Sequence, residues 1–129
     1  MFVCQARSDD VAVLDVGSME LIEVVPAGEY AAAIAIYPER RKVYCGNTAA
    51  GTVTVIDADS LEVVATVPST LGAGHVGIDA TRDVAYAVNF ATGDLTMIDG
   101  TSDEVLGTVR RRPRPPARSP WTPSGTWPT

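Results

Sequence analysis

The chain has 129 residues, of which 46% are hydrophobic and 20% charged, and a formal net charge of −6. That length suits one ordinary domain, and no apolar run approaches the roughly 20 residues needed for a membrane helix. The charge is uneven: residues 110–129 carry five of the ten basic residues and none of the sixteen acids, leaving residues 1–109 at −11, an acidic body that disfavours nucleic acid and anionic membrane as partners.

The N-terminus, MFVCQARSDD, has no basic segment followed by an apolar stretch, so the chain as written reads as cytoplasmic. Self-comparison then shows a gapless repeat of 42 residues. Asp15, Asp57 and Asp99 are equivalent, as are Phe2, Tyr44 and Tyr86. Val11-Ala-Val-Leu-Asp15 matches Val53-Thr-Val-Ile-Asp57 and Leu95-Thr-Met-Ile-Asp99. Leu21–Val25 matches Val63–Val67 and Val105–Val109, while Asn47 matches Asn89 and Gly51 matches Gly93. The copies are residues 1–25, 26–67 and 68–109.

In chain order, the first copy lacks its opening strand and begins inside its second. The next copy predicts strands at 33–37, 42–47, 52–57 and 61–67. The third predicts strands at 75–79, 84–89, 94–99 and 104–109. Each run is rich in β-branched residues and is bounded by turn chemistry. No helical apolar stripe competes. Four strands in a repeat of about 40–45 residues are the signature of a propeller blade. Apolar residues on both strand faces fit a sheet packed between neighbours. The fold class is therefore all-β: a β-propeller fragment of four-stranded antiparallel blades, about two and a half of them.

Val43-Tyr-Cys-Gly-Asn47, Gly51-Thr-Val-Thr-Val-Ile-Asp57 and Val63-Val-Ala-Thr-Val67 resemble the YVTN-type, YncE-like β-propeller repeat. Ala85-Tyr-Ala-Val-Asn89 and Gly93-Asp-Leu-Thr-Met-Ile-Asp99 resemble its next copy. The resemblance covers residues 1–109. It departs from the usual pattern before the innermost strand, where Tyr30-Ala-Ala-Ala33 and Gly72-Ala-Gly-His75 replace a Pro and Gly. It implies a non-catalytic scaffold or binding module, with a protein or small ligand taken through blade loops. A propeller enzyme of lactonase or dehydrogenase type, with catalytic residues on further blades, is the alternative, and a decayed inactive gene product is a third. Members of the family are often exported. Propellers close with about four to eight blades, so two and a half leave open edges prone to self-association.

The tail, RRRPRPPARSPWTPSGTWPT, holds six of the nine prolines and both tryptophans. Read as written it is disordered or polyproline-like, with Arg110, Pro113 and Pro116 forming a basic PxxP pattern. The genetic code offers a different reading. Because tryptophan has a single codon, TGG, the minus-one frame forces Asp across Trp121–Thr122 and Ala across Trp127–Pro128. Asp79 and Ala85 stand 42 positions earlier. The tail is thus read as the next blade translated out of frame.

Candidate site residues are few. Asp15, Asp57 and Asp99 recur at the end of a strand before a turn and are assigned to Asx turns rather than to a carboxylate ring for metal. Asn47 and Asn89 are assigned to loop backbone; Gly51, Gly93, Tyr44 and Tyr86 are structural repeat positions. Asp79, Arg82 and Asp83 read as an exposed turn. His75, the single histidine, lies just before an innermost strand and is a weak ligand candidate. No cofactor or metal motif is visible, no catalytic residue is assigned, and Gly72-Ala-Gly74 lacks the spacing of a phosphate loop. Cys4 and Cys45 are one position out of phase on equivalent strands, so their side chains take different faces; this argues against a disulfide and predicts two reduced, partly buried thiols.

Overall fold

The computed structural model describes residues 1–5, 7–69, 73–89 and 93–109. They form three antiparallel sheets. The first contains β1 (Phe2–Gln5), β2 (Asp10–Leu14) and β3 (Leu21–Pro26). The second contains β4 (Ala31–Tyr37), β5 (Lys42–Asn47), β6 (Thr52–Asp57) and β7 (Val63–Pro68). The third contains β8 (Ala73–Asp79), β9 (Val84–Asn89), β10 (Leu95–Asp99) and β11 (Val105–Val109). In each sheet, chain neighbours are also spatial neighbours. This is an all-β partial propeller of about two and a half blades. Among the described residues no helix is long and apolar enough to cross a membrane. The Arg/Pro tail and Gly72 lie outside the described residues.

Three strand starts differ by two residues from the sequence-based expectation, one of them β8, which starts at Ala73 rather than 75. The innermost strand of the middle sheet starts at Ala31, two residues early. The outermost starts at Val63 rather than 61, because residues 57–62 are held in a tight loop. Asp57 Oδ1 accepts from the backbone N–H groups of Asp59 and Ser60 at 2.8 and 2.9 Å. Leu61 N–H then returns to the Asp57 carbonyl at 2.9 Å.

That loop is built three times. Asp15 Oδ1 accepts from Gly17 and Ser18 at 2.8 and 3.0 Å, and Asp99 Oδ1 from Thr101 and Ser102 at 2.7 and 3.2 Å. Met19, Leu61 and Asp103 adopt φ of 57°, 61° and 61°. Such left-handed backbone is uncommon for residues with side chains, and here the aspartate hydrogen bonds and the following strand pair hold it in place. A register shift follows at Val13/Leu14, Val55/Ile56 and Met97/Ile98. The repeat in sequence is therefore a repeat of backbone conformation.

Burial follows from stacking. On β5, Val43 and Cys45 face the first sheet while Tyr44 faces the third. On β6, Ile56 turns to the first sheet and Val53 and Val55 to the third. Between sheets two and three, Tyr44, Val53, Val55 and Val67 pack with Val76, Ala85, Ala87 and Ile98. Size is complementary here: the Tyr44 ring shares its cluster with two alanines. Between sheets one and two, Phe2, Val11 and Val13 meet Val43, Cys45 and Ile56. The outermost strands β3, β7 and β11 stay largely exposed.

Stability should depend on faces rather than on apolarity as such. Ile56, fully buried, sits in a packed interface, whereas Val64 on β7 is 51% exposed. Truncating Ile56→Ala should lower the unfolding free energy by about 2–5 kcal/mol. Val64→Ala should change it by less than about 0.5 kcal/mol. Urea titration checks both, and equal effects at the two sites would contradict the stacking.

Candidate functional site

Most polar side chains singled out from the sequence are engaged in scaffold contacts. The Asp15 and Asp57 carboxyls are held below their ordinary values mainly by the backbone N–H groups of Ser18 and Ser60. Asn47 is fully buried; its Oδ1 accepts from Gly28 N–H at 3.0 Å and its Nδ2 donates to Thr52 and Thr54 hydroxyls at 3.0 and 2.8 Å. A Cβ on Gly28 would lie 2.6 Å from the Asn47 amide carbon, so this close approach requires glycine. Asn89 takes the equivalent buried position in the third sheet. Gly51 and Gly93 have φ of 68° and 76° and donate to the carbonyls of Asn47 and Asn89. Asp9, their equivalent in the first sheet, has φ of 58°.

His75 lies on β8 and is exposed, with its backbone in register with Val88 beside an irregularity in the ladder. Among the described residues, no group of three or more His, Cys, Asp or Glu side chains is arranged to hold a metal. Tyr44 and Tyr86, equivalent in sequence, are treated differently: Tyr44 is fully buried between two sheets and Tyr86 is half-buried on the far face of the third.

The densest polar constellation lies elsewhere, along the seam between sheets two and three. Asp83 is its centre. Its Oδ1 accepts from the Tyr37 hydroxyl at 2.7 Å and from Arg40 Nε at 3.1 Å, while its Oδ2 accepts from Arg40 Nη2 at 2.8 Å and from the Thr101 hydroxyl. Beside it, Lys42 Nζ donates to both Asp103 oxygens at 2.9 and 3.0 Å and to the Gly100 carbonyl at 2.9 Å. The Tyr44 hydroxyl donates to Asp103 Oδ1 at 3.1 Å. Gly100 has no room for a side chain, since a Cβ would lie 2.3 Å from Asp83 Oδ1.

Asp83 lies in the expected turn, whose residues 81 and 82 are exposed, and the finding beyond that expectation is that Asp83 carries an ion pair across to the neighbouring sheet. Within that turn Asp79 and Arg82 form a local contact at 3.9 Å. The seam leaves only a partial trace in the sequence, as breaks in the repeat. Arg41 replaces Asp83 one copy earlier, Leu61 replaces Asp103, and Val84 replaces Lys42 one copy later. Asp83, Asp103 and Lys42 therefore stand where the copies disagree, whereas Arg40 and Tyr44 recur as Arg82 and Tyr86.

Electrostatics agrees with the geometry. The Asp83 carboxyl is pushed well below the carboxylate range by Arg40 first, and then by Thr101 and Tyr37. Hydrogen bonding to Asp83 raises the Tyr37 phenol, and burial, with Asp103 beside it, raises that of Tyr44. The seam is a clamp that joins two sheets through charge and hydrogen bonds.

A carboxylate whose folded pKa is depressed adds stability above its unfolded pKa, about 3.9, and loses that contribution as pH falls toward the folded value. The destabilisation caused by Asp83→Asn should therefore be largest near neutral pH and shrink below about pH 4. Urea midpoints of both proteins across the acid range test this. A gap that stays constant with pH would show that Asp83 holds the seam without its charge.

No curated protein sequence matches the chain. Solved structures do. One is Kuenenia stuttgartiensis hydrazine synthase, 17% identical with a TM-score of 0.78, where 85% of this chain matches 32% of that one. Another is apo AztD from Citrobacter koseri, 14% identical with a TM-score of 0.65, covering 79% of this chain and 29% of that one. A third is U3-55K, 12% identical with a TM-score of 0.70, covering 85% and 35%. At these identities the likeness is one of fold, and the chain spans about a third of the length of the solved chains it matches. The family model described as YNCE-like beta-propeller matches residues 1–122, and the chain belongs to that family.

Proposed function

We propose that this chain is a non-catalytic propeller scaffold, part of a larger repeat protein, that binds protein through its outermost strands. One observation carries the reading: the same two positions are apolar and exposed in all three sheets. They are Leu21 and Ile22 on β3 (59% and 55%), Val63 and Val64 on β7 (42% and 51%), and Val105 and Leu106 on β11 (39% and 56%). Large apolar groups that recur on an exposed edge are suited to partner contact. An outer strand can also extend its ladder with an added strand. The acidic and amide positions that recur alongside them are occupied in turns, which leaves the apolar edge as the repeated surface on offer.

A second copy of the chain is the simplest partner for such an edge. Sedimentation velocity of the full chain over a wide concentration range should show mass rising above that of the monomer. The double variant Val64→Glu/Leu106→Glu should stay monomeric with unchanged circular dichroism. A wild-type chain that remains monomeric throughout would overturn the assignment of these strands. Association undiminished in the double variant would do the same.

A further inference from the structure

The two thiols meet between the first and second sheets. Cys4 on β1 and Cys45 on β5 have their Sγ atoms 3.7 Å apart, and both are free. The out-of-phase register led to the expectation that they would lie on different faces. They do, but the further expectation that phase would keep the sulfurs apart is corrected, as is that of partial burial for Cys45, which is fully buried. Cys4 points from the first sheet toward the second, and Cys45 points from the second toward the first. Residues on like faces of two stacked blades cannot touch across one interface, whereas residues on opposite faces can.

The surroundings of the two sulfurs differ. Cys45 is fully buried among Val11, Val43 and Ile56, with Asn47 Oδ1 at 3.8 Å as a second acceptor for its thiol hydrogen. Cys4 is only partly buried, at the margin of the same cluster. Cys4 is therefore the less buried residue of the two and Cys45 the more deeply enclosed. A thiolate that is accessible and adjacent to a second cysteine is the arrangement found in redox-sensing pairs.

We propose that Cys4 and Cys45 form a hydroperoxide-responsive dithiol, with Cys4 as the site of oxidation and Cys45 as the resolving thiol, whose disulfide fastens the first sheet to the second. In the first step the Cys4 thiolate attacks the distal peroxide oxygen, an S–O bond forms as the O–O bond breaks, Cys4 becomes a sulfenic acid, and the departing alkoxide or hydroxide takes up the proton released by the thiol. In the second step Cys45 sulfur attacks the sulfenic sulfur, the S–O bond breaks, and the Cys45 proton leaves with that oxygen as water. Two electrons pass from the thiol pair to the peroxide. Disulfide formation brings the two sulfurs from 3.7 Å to roughly 2.05 Å.

The polarity of the pair agrees with this order. A hydrogen bond from Cys45 lowers the Cys4 thiol below its ordinary value, while the same bond and burial raise Cys45. Among the described residues, the ion pairs that cross between sheets join the second to the third and none joins the first to the second. A covalent link would therefore act where the stack lacks an ionic clamp.

The test is treatment of the reduced full-length chain with hydrogen peroxide in stoichiometric amount. The expected product is a monomer that has lost two hydrogens and both free thiols, with the Cys4 peptide joined to the Cys45 peptide in a non-reduced digest. Dithiothreitol should reverse the change, and the thermal midpoint of the oxidised form should rise by roughly 10 °C. In Cys45→Ser, Cys4 should stop at sulfenic acid and be trapped by dimedone; in Cys4→Ser, Cys45 should resist the same dose. Peptide mapping of the unsubstituted chain decides the matter even if a variant fails to fold. Survival of both thiols, a disulfide between two chains in place of the internal one, or reaction of Cys45 before Cys4 would each overturn the proposal.

Discussion

Side chains of β5 and β6 alternate between two buried faces, and neither face can be buried unless another sheet lies on it. Val43, Cys45 and Ile56 need the first sheet, and Tyr44, Val53 and Val55 need the third. A single four-stranded sheet of this composition would expose one set or the other. Stacking at the usual spacing of about 10 Å is what turns a run of short strands into a core. Stability in such an array comes from each sheet and its contacts with its immediate neighbours. The half-burial of Tyr86, set against the full burial of Tyr44, shows what the same repeat position experiences with and without a covering sheet among the described residues.

The two interfaces are built differently. Between sheets one and two the contact is largely apolar, with Phe2, Ala58 and Leu61 at the edge of the cluster. Between sheets two and three, the positions equivalent to Ala58 and Leu61 are Gly100 and Asp103, and an ionic seam takes the place of apolar packing. Gly100 lets the Asp83 carboxylate approach, and Lys42 reaches across to Asp103. One scaffold thus accommodates two chemistries by changing a few residues at its edge. The strand faces keep the same alternation throughout.

The strands were legible because their signal is local: β-branched runs, turn residues, and a period that repeats without a gap. The Asx loops were legible for the same reason, since the aspartate and its two N–H donors lie within three residues. The seam was not, because Arg40 and Asp83 are 43 residues apart and meet only when sheets stack. Its one sequence trace is the set of positions where the copies differ. The cysteines show the limit of strand phase as an argument. Phase tells which face a residue occupies, and only the stacking tells which faces meet.

Residue-resolved hydrogen exchange on the full chain tests most directly whether stacking on both faces holds this molecule together. Amides of β5 and β6, covered on two sides, should exchange slowest, and those of β2 and β9–β10, covered on one, should exchange measurably faster. Equal protection in all three sheets, or slowest exchange in β9 and β10, would contradict a core built from stacked faces.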